Sequence, residues 1–152
     1  MKTLALALLL TLLPLHAGAC IEKNNPGNLV KTGSLWKGQV KNKGRFVAFE
    51  SAHYGLRALA VVLLRYESRH GLTSVEEIIG RFAPAHENNT AKYAAFVANH
   101  LGVRVQEDIE VQPHLVLLMQ AIVQYENGSQ PYSVDQLHWA AIEGLEHVRN
   151  NP

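Results

Sequence analysis

A single cysteine, Cys20, stands in a chain of 152 residues. No intramolecular disulfide can brace such a chain, so a stable structure must rest on its core. Charge of one sign is also lacking, with 14 Lys plus Arg against 13 Asp plus Glu. That balance offers no basic footprint for nucleic acid or for an anionic membrane surface, and it leaves recognition to local hydrogen bonds and shape. The eight histidines include no HExxH and no paired spacing, so metal catalysis has no ligand set. There is no Gly-x-Ser-x-Gly, and Gly33, Gly38 and Gly44 lack phosphate-loop spacing. Serine-nucleophile chemistry and nucleotide binding therefore have no signature, and no cofactor is expected. Beyond the N-terminus no segment approaches the roughly 20 apolar residues of a spanning helix.

What is present begins at the first residue. MKTLALALLLTLLPLHAGAC joins Lys2, a leucine-rich run to Leu15 and the small-x-small triplet Ala17-Gly18-Ala19, the layout of a secretory signal rather than of structure. Export to a periplasm or beyond is expected, with residues 1–19 removed and residues 20–152 forming one domain. Loss of Lys2 brings the mature chain to formal neutrality. Cleavage after Ala19 puts Cys20 at the new N-terminus, where Ala-Gly-Ala-Cys also resembles a lipoprotein processing site, so a lipid anchor at Cys20 stands as an alternative to a free mature protein.

Residues 22–50 are rich in Gly, Asn and Lys, with short apolar pieces at Leu35-Trp36 and Phe46–Phe49; they read as a loop-rich lobe with turns and a small hairpin. From Ser51 onward the pattern turns helical. Tyr54, Leu56, Leu59, Leu63 and Tyr66 recur at helical spacing before Gly71. Thr73 or Ser74, with Glu76 or Glu77 three residues on, predicts a capping box and a helix ending before Pro84. A third helix follows Asn89-Thr90 and carries Tyr93, Phe96, Val97 and Leu101. VRVQEDIEVQ reads as strand or loop, and Pro113 suits the first turn of a fourth helix that continues to Tyr125. Ser133 with Gln136 opens a fifth. The fold class is mainly α, with a small irregular lobe at the start.

Three Asn-rich turns punctuate this pattern: Asn24-Asn25-Pro26-Gly27-Asn28, Glu87-Asn88-Asn89-Thr90 and Glu126-Asn127-Gly128. Each can be an ordinary turn or cap. Two of them, however, begin with Glu at a helix boundary, and two are followed by an aromatic, Tyr93 or Tyr132. Amides such as Asn25, Asn28 and Asn88 can bond sugar hydroxyl and N-acetyl groups, Tyr93 and Tyr132 can cover sugar faces, and an acid can protonate a glycosidic oxygen. The structural alternatives stay open beside these roles. Glu87 can cap the third helix, Asn25 and Asn28 can close a turn, Tyr132 can pack beneath the last helix, and Trp36, Phe46 and Phe49 can be core.

KNNPGNLV, Trp36-Lys37-Gly38, RFVAFESAHYGLRAL, RFAPAHENNTAKYAAFV and AIVQYENGSQPY resemble, in that order, a family of small phage and prophage muralytic proteins. These are similar to the muralytic structural protein of enveloped double-stranded RNA bacteriophages. The resemblance covers residues 21 to 135 and implies a lysozyme-like fold of the lytic transglycosylase superfamily. It implies cleavage of peptidoglycan by one Glu at the C-terminal end of a helix, acting first as acid and then as base. Longer relatives place a helix ending in Glu-Gly ahead of their Asn-Asn-Pro-Gly-Asn block, whereas here only the signal precedes it. The helix that ends in an acid and a glycine turn is AIVQYENG, which nominates Glu126. Glu87 is the next candidate, followed by Glu22 and Glu50. Glu50 precedes a helix N-terminus, where negative charge is favoured, and so makes a poorer acid. Cleavage of the peptide stem, or peptidoglycan binding without catalysis, are the other readings the sequence allows.

Overall fold

Leu56, Leu59, Leu63 and Leu64 put an apolar face on a helix that runs from Ala52–His70, α1, and all four are buried. In the computed structural model, which describes residues 23–85 and 89–152, α1 is the axis of the fold. The expected export signal, the lipid anchor at Cys20 and the 19/20 domain boundary lie outside the described residues, as do Glu22, His86, Glu87 and Asn88. Ser51 occupies the cap position of α1, although its side chain makes no cap hydrogen bond. At the other end Gly71, with φ of 64°, turns the backbone left-handed and donates its N–H to the last carbonyls.

Four further helices follow among the described residues: α2 Val75–Phe82, α3 Thr90–Leu101, α4 Val111–Asn127 and α5 Val134–Asn150. The expected capping boxes form at both places. Ser74 Oγ accepts from the Glu77 N–H while the Glu77 carboxylate accepts from the Ser74 N–H, and Ser133 and Gln136 do the same for α5. Asn89 caps α3 by accepting from the Lys92 N–H. The ambiguous stretch after Gly102 is a turn-rich connection, bridged to Ser74 only at Asp108. Its end already belongs to α4, whose first N–H, at Val111, donates to Glu67 Oε1 on α1 at 2.9 Å. The fourth helix runs two residues past the expected Tyr125, so Glu126 and Asn127 fall within its last turn.

α5 packs closely along α1. A Cβ at Gly144 would stand 2.7 Å from Ala60 Cβ, so only glycine allows this approach. Leu118, Met119, Ile122, Val97, Ile78, Ile79 and Leu137 complete one core with α1. The expected hairpin is present and minimal, with β1 Gln39–Val40 antiparallel to β2 Ala48–Phe49, and Val47 and Phe49 rooted in the core. The architecture is mainly helical with a small sheet. No helix among the described residues is long and apolar enough to cross a membrane.

Candidate functional site

The site is built where the loop 24–28 meets the end of α4. Asn24 and Asn28 both adopt φ of 53°, a left-handed conformation that Asn tolerates better than most side chains. The Asn28 N–H closes the turn on the Asn25 carbonyl at 2.9 Å. Inside the turn, the Asn25 Nδ2 donates to the Leu29 and Val47 carbonyls and its Oδ1 accepts from the Leu29 N–H, each at 2.9 Å. Asn25 is 0% exposed. The sugar contact expected of it is therefore withdrawn: its amide is spent on the backbone, and its work is to hold the lobe to the hairpin.

Asn127 joins this loop to α4. Its Nδ2 donates to the Pro26 carbonyl and to the Val123 carbonyl, both at 2.8 Å. With loop and helix end fixed in this way, Asn28 and Glu126, 98 residues apart in sequence, face each other. Asn28 Nδ2 donates to Glu126 Oε2 at 3.1 Å. From α3, Tyr93 Oη donates to Glu126 Oε1 at 2.9 Å. Each carboxylate oxygen thus has one partner.

Tyr93 is only 1% exposed, and its ring is stacked on Tyr125 with centroids 3.8 Å apart and edge-on to Phe82. It is not the sugar platform expected from sequence, because no face of it is open; it holds the acid instead. Tyr132 lies in the connection between α4 and α5, packed against the core, and is not among the residues that line the groove around Glu126. Its expected platform role has no geometric basis. Glu50 is exposed, with its N–H bonded to the Gly38 carbonyl. Glu87 and Asn88 lie outside the described residues.

Glu126 lines an open groove of about 860 Å³ with Asn28, Trp36, Phe46, Tyr66 and Phe82. Of the aromatics read as core of the small lobe, Phe49 is buried, whereas Trp36 and Phe46 are half-buried and face this groove. Burial pushes the Glu126 carboxyl above the usual carboxylate range, while the hydrogen bonds from Tyr93 and Asn28 pull it part of the way back. Its seat in the last turn of α4, at the negative end of the helix dipole, acts in the same direction as burial. Tyr93 is itself held well above its ordinary value, first by burial and then by the neighbouring carboxylate, so its hydroxyl stays protonated.

The two partners suit both charge states of Glu126. Asn28 offers a fixed donor, which either a carboxylate oxygen or the carbonyl of a neutral acid accepts. The Tyr93 hydroxyl donates to the carboxylate and can accept from the protonated acid. A partly buried acid of this kind, facing an open aromatic groove, can give up a proton and take one back without rearrangement of its neighbours. Sequence reasoning missed Asn127 and the groove-lining Arg45 and Arg81. Asn127 was legible only as the neighbour of Glu126, and the arginines carry no local signature.

No protein-family model matches the chain. It is similar to Protein P5 of Pseudoalteromonas phage PM2, with 33% identity over 127 residues that cover 80% of this chain and 79% of that protein. At that identity and coverage, the chain belongs to the family of phage PM2 Protein P5.

Proposed function

We propose that this protein cleaves the glycan strand of peptidoglycan as a lytic transglycosylase of lysozyme-like type, with Glu126 as its general acid and base. The observation that carries this reading is the Glu126 carboxyl, raised in pKa by burial, held by Tyr93 and Asn28, and lining an open groove. In the neutral state it gives its proton to the glycosidic oxygen as the bond from the anomeric carbon breaks. The resulting carboxylate then takes the proton of the same sugar's 6-hydroxyl, whose oxygen bonds to the anomeric carbon. A 1,6-anhydro ring forms, no water is consumed, and the acid is restored.

Glu126 is the one acid lining the groove among the described residues, and this route needs no second carboxylate, unlike the paired acids of most glycosidases. Trp36, Phe46 and Tyr66 supply aromatic surface of the kind that sugar faces cover. The sequence expectation of export, whether as a free protein or anchored at Cys20, would bring the enzyme to the compartment of its substrate.

Clearing of purified peptidoglycan by the parent, Glu126→Gln and Glu87→Gln proteins tests the assignment. General acid–base catalysis is worth about 10²–10⁴-fold, and loss on that scale is expected for Glu126→Gln alone. Full activity of Glu126→Gln with an inactive Glu87→Gln would move the acid to Glu87. Binding to the wall with no clearing by the parent would contradict catalysis altogether.

A further inference from the structure

Along the seam between α1 and α5, basic groups gather without matching acids. Arg57, Arg65 and Arg69 stand at multiples of four residues on α1 and so share one face of that helix, and the close approach at Gly144 sets α5 beside it. Toward the start of α1 a single carboxylate, Glu143 on α5, serves three cations: His53 Nε2 at 3.0 Å, Arg57 Nε at 3.7 Å and Lys37 Nζ at 3.9 Å. One turn further along α5, no acid continues the series. His147 stands there instead, and its Nε2 accepts from Arg65 Nη2 at 3.3 Å. Arg65 Nε is buried without a hydrogen-bond partner. Among the described residues no Asp or Glu pairs with Arg65, Arg69 or His147. Arg69 Nη2 is spent on the Asn151 and Pro152 carbonyls, at 3.4 and 3.0 Å, so it lends the seam its charge rather than an open fork.

Burial, and then the charges of Arg57, Arg65 and Arg69, hold the His147 imidazole below the ordinary histidine range. An oxyanion set against Arg65 reverses that balance. It accepts from the guanidinium in place of the ring, leaves Nε2 able to take a proton, and then accepts from the imidazolium as well. A tetrahedral group such as phosphate or sulfate suits this place better than a carboxylate, because its charge and its several acceptor oxygens match a guanidinium, an imidazolium and two further arginines. We infer that Arg65 and His147 form a binding site for a phosphate-type oxyanion at the seam of α1 and α5, with Arg57 and Arg69 supplying a positive field. None of these residues lines the Glu126 groove, so the inference stands apart from glycan cleavage. A soluble phosphate ester and the headgroup of an anionic phospholipid share this chemistry.

The test follows the imidazole NMR signals of the protein against pH, in sodium sulfate and in sodium chloride of equal ionic strength, with the His147 signal identified by its loss in His147→Gln. Sulfate keeps its charge over the range in which histidine titrates. It is expected to raise the His147 pKa, saturably, by about half a unit or more over chloride. Arg65→Gln should weaken sulfate binding about tenfold or more, and Arg65→Lys by less. Arg69→Gln, at an exposed position, should weaken it about threefold through lost charge alone and serves if Arg65→Gln does not fold. Sedimentation with phosphatidylcholine vesicles, with and without phosphatidylglycerol, separates the two sources. Co-sedimentation with the anionic vesicles that Arg65→Gln loses assigns a lipid headgroup, whereas sulfate binding without co-sedimentation assigns a soluble phosphate. A His147 titration identical in the two salts would overturn the inference. A sulfate effect undiminished in Arg65→Gln, or in Arg69→Gln where the first variant does not fold, would overturn it as well.

Discussion

Replacing Tyr93 by Phe removes one oxygen atom and leaves the stack on Tyr125 intact, so it isolates the hydrogen bond to Glu126. The lost bond is worth about 1 kcal/mol when Glu126 is neutral and about 2 kcal/mol when it is ionised. The difference, on the order of 1 kcal/mol, disfavours the carboxylate and should move the alkaline limb of the pH–rate profile upward by a little under one pH unit. Stability changes with a defined sign. Burial holds the folded-state pKa of Glu126 above its unfolded value, so its contribution is fully present below the ordinary carboxylate range and is lost as pH rises through the raised value. The Tyr93→Phe substitution widens that gap, and its cost should therefore grow with pH, from about 1 kcal/mol at pH 4 to about 2 kcal/mol at pH 9. Tyr93 does not ionise in this window, being held well above its ordinary value. Urea unfolding of parent and variant at the two pH values measures the difference, and it does so whether or not the protein is an enzyme. An identical cost at both would refute the claim that Tyr93 stabilises the charged form of a buried acid.

Asn28→Gly retains a residue suited to φ of 53° and removes the side chain that donates to Glu126 Oε2. Activity should fall about tenfold while the melting temperature moves by no more than a few degrees; a collapse of the fold would show that Asn28 serves the turn rather than the acid. Asn25→Ala should do the opposite. Three hydrogen bonds to buried backbone groups disappear with its amide, costing about 3 kcal/mol or more in denaturant titration, and an unaltered midpoint would contradict its assignment as a fold residue.

The helices were legible because their ends are written in local chemistry. Ser74 with Glu77, Ser133 with Gln136, and the left-handed glycines Gly71, Gly102 and Gly128 all stand at offsets that sequence alone displays. The N-terminal lobe was legible only as loop and hairpin, since strands of two residues carry no period. Within the site, AIVQYENG placed an acid at a helix end, and the fold puts Glu126 there. Which amide of the Asn-rich turn meets it was not legible. Asn25 and Asn28 are the same residue type in one short turn, and only the folded backbone, left-handed at Asn28, separates the buried amide from the one that meets Glu126; the docking of Asn127 on the Pro26 carbonyl brings together positions about 100 residues apart. Tyr93, expected from sequence to cover a sugar face, is core instead; that its hydroxyl ends on Glu126 follows from how α3 packs on α4. Arg81 and Tyr66 are fifteen residues apart on separate helices, and nothing in either segment announces that they stack.

Mass spectrometry of the fragments released from purified peptidoglycan tests the central claim most directly, with Glu126→Gln as the matched control. If Glu126 is the acid of a lytic transglycosylase, the sugars freed by the parent protein carry 1,6-anhydro ends, and these fall by about 10²-fold or more in the variant. New amino termini on the peptide stems, or anhydro products undiminished in Glu126→Gln, would contradict it.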